Sequence, residues 1–237
     1  MIFNDCTLSE LQITKYANYQ TQFLATDFEN CCFNKKHFHS FPYQVDYHFN
    51  SLGYREYPIE KYQSDCIIVV GDSAVVGIGL PFELTLAKQI ENFCNHQVLN
   101  FSMCGASNDW IHRKLKIILK YFQPKAVIIH YTFSHRREHS NHTWTDDERT
   151  LCDPFHSSDE NYQNWLDNHQ QINMMLEKIP ACYSFIPNWH DKSISYNNFL
   201  EPIKVIDKAR DYFHYGPKTT RLLAKMIHSK LTTLLVS

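Results

Sequence analysis

Three short stretches carry residues whose types and order suit nucleophilic catalysis. In "CIIVVGDSAVVGIGL", residues 66 to 80, an apolar run breaks into Gly71-Asp72-Ser73 and resumes between Gly77 and Gly79. A serine placed after a buried strand and at a helix start offers a hydroxyl nucleophile and a backbone N–H directed at the same crevice. Far downstream, "ARDYFHYGPK" sets Asp211 and His214 three residues apart, just before a final helical pattern. A serine hydroxyl is a poor nucleophile until a base takes its proton, and that imidazole needs an acceptor to hold its tautomer. His214 suits the base and Asp211 the orienting group. The third stretch, "LNFSMCGASND", places Gly105 in a loop after the second apolar run, where a residue without a side chain can turn its N–H towards the crevice. Each stretch also has a plainer reading: Asp72 and Ser73 as a helix cap, His214 as a surface group near a helix start, Gly105 as a turn. Yet of only six glycines in the chain, Gly71, Gly77, Gly79 and Gly105 all follow the first two apolar runs, which favours loops of special geometry.

The elements that would position these residues are legible in the periodicity. From Cys66 onward, apolar runs alternate with amphipathic stretches, the sequence form of a parallel α/β sheet. The runs "CIIVV" (66 to 70), "QVLNF" (97 to 101), "KAVIIHY" (125 to 131) and "CYSFI" (182 to 186) are short enough for strands buried on both faces. They predict four central strands and leave room for a fifth. Ser107 is placed to cap a helix in which Trp110, Ile111, Leu115, Ile118 and Phe122 recur, ending before Pro124. Residues 83 to 94 and 164 to 178 carry weaker helical patterns, and Pro217 opens a last helix with Leu223, Ile227, Leu231 and Leu234 on one face. In such a sheet ligands bind beyond the carboxyl ends of the strands, where Ser73 falls. Residues 1 to 63 read as a cap segment of loops packed on a main domain spanning 64 to 237. The polar segment from about His135 to Asn161 is the longest irregular piece, of a length typical of lids and binding loops.

Composition narrows the function classes. With 237 residues and 43% hydrophobic content, one domain has ample material for a core. Lys plus Arg number 23 against 25 Asp plus Glu, so there is no electrostatic footprint for nucleic acid or an anionic membrane. The basic cluster His135-Arg136-Arg137 is followed by Glu138 and reads as an internal ion-pair site. The amino terminus lacks a cationic stretch followed by an apolar core, and no window approaches the ~18 apolar residues of a spanning helix. A cytoplasmic protein is expected. The eight cysteines are scattered, Cys31 and Cys32 adjacent, and read as free thiols of a reducing compartment.

The three stretches, in this order, resemble the motif blocks of the SGNH hydrolases, also called GDSL-type esterases and lipases, over roughly residues 64 to 233. The resemblance implies a flavodoxin-like three-layer α/β/α sandwich around a parallel sheet of about five strands. It implies a Ser73, Asp211 and His214 triad with oxyanion donors at the Ser73 and Gly105 N–H groups and no cofactor. The stretch "YHFNSLGYREY", residues 47 to 57, is also similar to an Asn-Ser-x-Gly-x-Arg segment that precedes the serine block in many bacterial members. One departure stands out. The family's third block supplies an asparagine as a further oxyanion donor, and here the third run exits through "IIHYTFSHRRE" with neither Gly nor Asn. By register His135 falls near that position, with Thr132, Ser134 and Asn108 as other candidates. Loss of one such donor costs about 100- to 1000-fold in rate.

The expected activity is hydrolysis of a short acyl ester on a carbohydrate or other polar small molecule. Acyl transfer to another alcohol, or a weakened hydrolase that only binds, are the alternatives. A third reading is a metal site from His130, His135, His139, His142 and His156 with Glu138, Cys152 and Asp153. His135 and His139 have a ligand-like spacing. Against it, "HRREH" lacks a glutamate directly after its first histidine, and no second pair is clearly spaced. No metal is therefore expected.

Overall fold

The computed structural model describes residues 9–55, 58, 61–62, 65–138, 156–186 and 198–236. In the amino-terminal segment, strands β1 (Gln20–Thr21) and β2 (Tyr47–His48) pair antiparallel, with helix α1 (Lys35–Ser40) between them. The main sheet holds β3 (Ile67–Val70), β4 (Val98–Asn100), β5 (Ala126–Tyr131) and β6 (Ala181–Phe185). All pairings are parallel and the spatial order is β4-β3-β5-β6. A fifth strand is represented, among the described residues, by a single parallel bridge from Tyr183 to Phe199 at the outer edge of β6.

Strand alternation explains the three layers. Successive side chains of a strand point to opposite faces. Ile68, Val70, Val127 and Ile129 face one core with Trp110, Leu115, Ile118 and Trp165, and with Leu11, Tyr47 and Tyr54 of the amino-terminal segment. Ile67, Val69, Ala126 and Ile128 face the other, with Leu86, Ile90, Leu223, Ile227 and Leu231. The helices are α2 (Ser73–Val76), α3 (Leu86–Glu91), α4 (Asn108–Tyr121), α5 (Ser158–Met175) and α6 (Pro217–Val236). Helix α4 begins as the sequence predicts, Ser107 Oγ accepting from the Trp110 N–H at 3.0 Å. Helix α5 starts earlier than expected, because Ser157 and Glu160 form a reciprocal capping box ahead of its apolar positions. Among the described residues no helix is long and apolar enough to cross a membrane. Cys31, Cys32, Cys94 and Cys182 are free thiols.

The strand order locates the site. The chain leaves β3 for β4 on one side and returns to β5 on the other, so a crevice opens beyond the carboxyl ends of β3 and β5. The glycine-rich loop after β3 is held from behind by Arg55, which is 2% exposed. Its guanidinium donates to the carbonyls of Gly77 (2.6 Å), Leu80 (2.7 Å) and Asp46 (3.0 Å), and its plane lies 4.4 Å from the Tyr47 ring centroid. Burial pulls its pKa down to about 10, with Tyr47 and Asp27 pulling the other way. Asn50, from the same segment, accepts from the Leu52 and Tyr54 N–H groups and so shapes the turn that delivers Arg55.

Candidate active site

Asp72 caps helix α2, its carboxylate accepting from the Ala74 N–H at 2.9 Å. Ser73 is therefore the first helical residue, where the N–H has no intrahelical acceptor. The cap and the nucleophile readings of this tripeptide are compatible: the cap fixes the backbone that aims the hydroxyl.

His214 meets both partners expected of it. Its Nε2 lies 2.8 Å from Ser73 Oγ and its Nδ1 2.6 Å from Asp211 Oδ2. With Nδ1–H donating to the carboxylate, Nε2 is left as acceptor for the serine proton. Asp211 is fully buried, and Ser73 and His214 are nearly so. Burial alone would push the Asp211 carboxyl up; hydrogen bonds from His214, Thr26 and the Phe213 N–H outweigh it and hold the group below its ordinary value. Thr26 Oγ1 donates at 2.6 Å, and the N–H groups of Phe213 and His214 donate to Oδ1 at 3.0 and 3.1 Å. Between Asp211 and His214, Tyr212 adopts φ +61°, a conformation bulky residues rarely take. His37 braces it, the two rings 5.0 Å apart edge to face and His37 Nε2 2.9 Å from the Ala209 carbonyl.

A cavity of about 100 Å³ opens over these groups, walled by Ser73, His214, Phe133, Arg136, Ile186, Val205, Phe213 and Tyr215. Phe213 continues onto the surface, where Phe33 stacks on it at 5.1 Å with its own ring largely exposed. The Phe33 N–H donates to the Asp211 carbonyl at 3.1 Å, fastening this aromatic pair to the Asp211 loop.

The remaining sequence candidates are dispersed around this cavity. Gly105 takes φ +81° in the turn after β4, a geometry that suits glycine, and is not a wall residue of the cavity. Asn108 donates to the Thr132 and Phe133 carbonyls at 3.3 Å and accepts the Thr132 N–H at 3.1 Å, so its amide braces the β5 exit. The Thr132 hydroxyl donates to Asp72 Oδ2 at 2.7 Å. The His135 ring stacks on Phe133 at 5.2 Å, and neither His135 nor Ser134 lines the cavity. The basic cluster does form ion pairs, though not within itself: Arg136 pairs with Asp72 at 2.9 Å and Glu138 with Arg113 at 2.8 Å. Of the metal candidates, His130 is buried in β5, while His139, His142, Cys152 and Asp153 lie outside the described residues. Among the described residues no group of three could hold a metal ion. Thr26 was not foreseeable, since it lies 185 residues before its partner and in no motif.

No protein-family model matches the chain, and no curated protein matches it. Solved structures do. A carbohydrate esterase whose active site "displays divergent catalytic and non-catalytic binding functions" aligns with TM-score 0.50 at 11% identity, over 73% of this chain and 66% of that one. The fold is that of the SGNH hydrolases. Other similar structures are a carbohydrate esterase family 2 enzyme of Corynascus thermopiles (TM-score 0.49, 11% identity, 81% of this chain and 71% of that one) and an acetyl xylan esterase of Butyrivibrio proteoclasticus (0.48, 13%, 74% and 65%).

Proposed function

We propose that the protein is a serine hydrolase that cleaves a carboxylic ester with a small acyl group. The observation that carries this is the unbroken chain from Ser73 Oγ through His214 to Asp211, with distances of 2.8 and 2.6 Å, opening on a cavity. Ser73 Oγ attacks the ester carbonyl while His214 Nε2 takes its proton, and the carbonyl electron pair moves onto oxygen. Collapse expels the alcohol, which receives that proton from His214 and leaves an acyl-serine. Water, deprotonated by the same imidazole, then releases the acid. Asp211 stays ionised and stabilises the imidazolium at each stage. The N–H groups of Ser73 and Gly105 are the proposed backbone donors to the oxyanion.

Two features support the substrate class. A cavity of about 100 Å³ over Ser73 and His214 has room for an acetyl-sized group. The exposed faces of Phe33 and Phe213 beside it suit a leaving group that presents a ring face, as a sugar does, and a carbohydrate ester is the class named for the fold neighbour at TM-score 0.50. Transfer of the acyl group to a second alcohol would use the same acyl-serine.

The reading is tested by incubating the protein with a fluorophosphonate probe and measuring intact mass, with Ser73→Ala as control. One adduct that disappears in Ser73→Ala is expected. A folded protein that takes no adduct, or one labelled equally in Ser73→Ala, overturns it in favour of ligand binding without chemistry.

A further inference from the structure

We propose that Arg136 supplies the side-chain donor to the transition-state oxyanion, so that the hole in this protein is closed by a cation. The proposal rests on the serine-hydrolase reading above and concerns the position where the third run of the sequence offers no amide.

Arg136 is the cavity-wall residue whose guanidinium is both fixed and only partly used. Its Nη1 donates to Asp72 Oδ2 and to Thr132 Oγ1, each at 2.9 Å, and its plane rests 5.2 Å from the Phe133 ring centroid. Those two bonds use both hydrogens of Nη1. The N–H groups of Nη2 and Nε make no hydrogen bond to the described residues, on a side chain that walls the same cavity as Ser73 and His214. Preorganised donors aimed where charge develops are worth most in a dry site, and a guanidinium presents its N–H donors in a rigid planar fork.

Charge accounting points the same way. Asp72 is a carboxylate, 1% exposed, one residue from the nucleophile. Unopposed, it would repel the negative oxygen that forms on the substrate. Arg136 pairs with it through Nη1, and its Nη2 and Nε make no hydrogen bond to the described residues. Among the rival donors, the Asn108 amide is committed to two carbonyls and the Thr132 hydroxyl to Asp72, while Lys208 Nζ spends one of its three N–H groups on the Phe213 carbonyl at 3.1 Å on the exposed rim. The Tyr215 hydroxyl, buried on the same wall and without a partner among the described residues, is a neutral donor and cannot offset the charge of Asp72. No proton leaves Arg136 in this role; the serine proton goes to His214, and the guanidinium only donates hydrogen bonds to the new alkoxide.

The test compares wild type, Arg136→Ala, Arg136→Lys and Ser73→Ala by thermal melting, by kcat and KM on p-nitrophenyl acetate, and by the rate of fluorophosphonate labelling. Arg136→Ala is expected to lose about 100- to 1000-fold in kcat and a comparable factor in labelling rate, with KM within a few-fold. Low, non-denaturing guanidinium chloride should restore part of that loss in Arg136→Ala and in no other variant. Arg136→Lys keeps a cation beside Asp72 and should fold, yet lose tenfold or more, and it carries the test if the alanine variant does not fold. Where p-nitrophenyl acetate is not turned over, the labelling rates decide alone. Wild-type kcat or labelling in either folded variant, with Ser73→Ala inert, overturns the role of Arg136 and leaves the hydrolase reading standing. A raised KM at unchanged kcat also overturns it, assigning Arg136 to ground-state binding. Labelling that survives in Ser73→Ala overturns the hydrolase reading itself.

Discussion

Thr26 Oγ1 donates to Asp211 Oδ2 at 2.6 Å, on the same oxygen that His214 Nδ1 meets at 2.6 Å. A residue of the amino-terminal segment thus shares the carboxylate oxygen that His214 meets. A hydrogen bond to a charged group contributes about 1.5 to 3 kcal/mol. Thr26→Val is expected to lower kcat about tenfold. Asp211 has a folded pKa below its ordinary 3.8, so its stabilising effect is full above that value and is lost as pH falls through the folded pKa. Removing a donor to the ionised form raises the folded pKa, and acid unfolding of Thr26→Val should begin at higher pH than in wild type. Equal acid-unfolding midpoints and equal kcat would show that Oδ2 needs no second donor.

Gly79 lies where the loop after Ser73 meets the Asp211 loop. Its φ is +76°, and a Cβ there would stand 2.8 Å from Ala209 Cβ and 3.0 Å from the Arg210 nitrogen. The Arg210 N–H also donates to the Gly79 carbonyl at 3.0 Å. Gly79→Ala should therefore push residues 209 to 211 outward and carry His214 off Ser73. Steady-state kinetics are expected to show at least a tenfold loss of kcat, and wild-type kinetics would mean that the loop yields elsewhere.

Arg55 is a buried guanidinium serving four backbone carbonyls, those of Val76, Gly77, Leu80 and Asp46, and one aromatic face. A lysine has one point of charge and no planar fork, so Arg55→Lys leaves at least one carbonyl unserved and loses the stacking on Tyr47. Denaturant titration should show a loss of about 2 to 4 kcal/mol, since an unsatisfied buried polar group costs ~1 to 3 kcal/mol by itself. A midpoint unchanged from wild type would contradict this account.

His130 has its Nδ1 2.8 Å from Ser184 Oγ and its buried Nε2 without a partner among the described residues. Burial pushes its pKa down to about 4, against a smaller upward pull from Asp72. Unfolding lets this imidazole take a proton near pH 6.5, so the folded state is stabler above that pH and loses ground as pH falls from 6.5 towards 4. The single group contributes on the order of 3 kcal/mol across that window. Melting curves between pH 4.5 and 7 should be flatter for His130→Asn than for wild type; parallel curves would place the pH dependence elsewhere.

The sequence made the sheet legible because each strand is a short apolar run buried on both faces, as with Ile67–Val70 and Ala126–Tyr131. It made Ser73, Asp211 and His214 legible because their spacing to strand end and helix start is local. It did not reveal what a side chain contacts across the fold. Arg136 was visible only as part of a basic cluster, yet its partner is Asp72, 64 residues earlier. Asn108, equally plausible by type, has its amide occupied by the β5 exit. Donor capacity is set by partners, and partners at this separation leave no periodic trace.

The oxygen of Ser73 and the ring of His214 are 141 residues apart, and Thr26 reaches Asp211 from 185 residues away. On the proposed mechanism the segments carrying Ser73 and His214 must dock before a proton can pass between them, and the segment carrying Thr26 supports the carboxylate that His214 meets. Turnover by the proposed mechanism would accordingly report completed folding: refolding followed by activity should lag refolding followed by helix signal. Two separately produced halves, cut between the serine and the Asp211 loop, would regain catalysis only on reassociation.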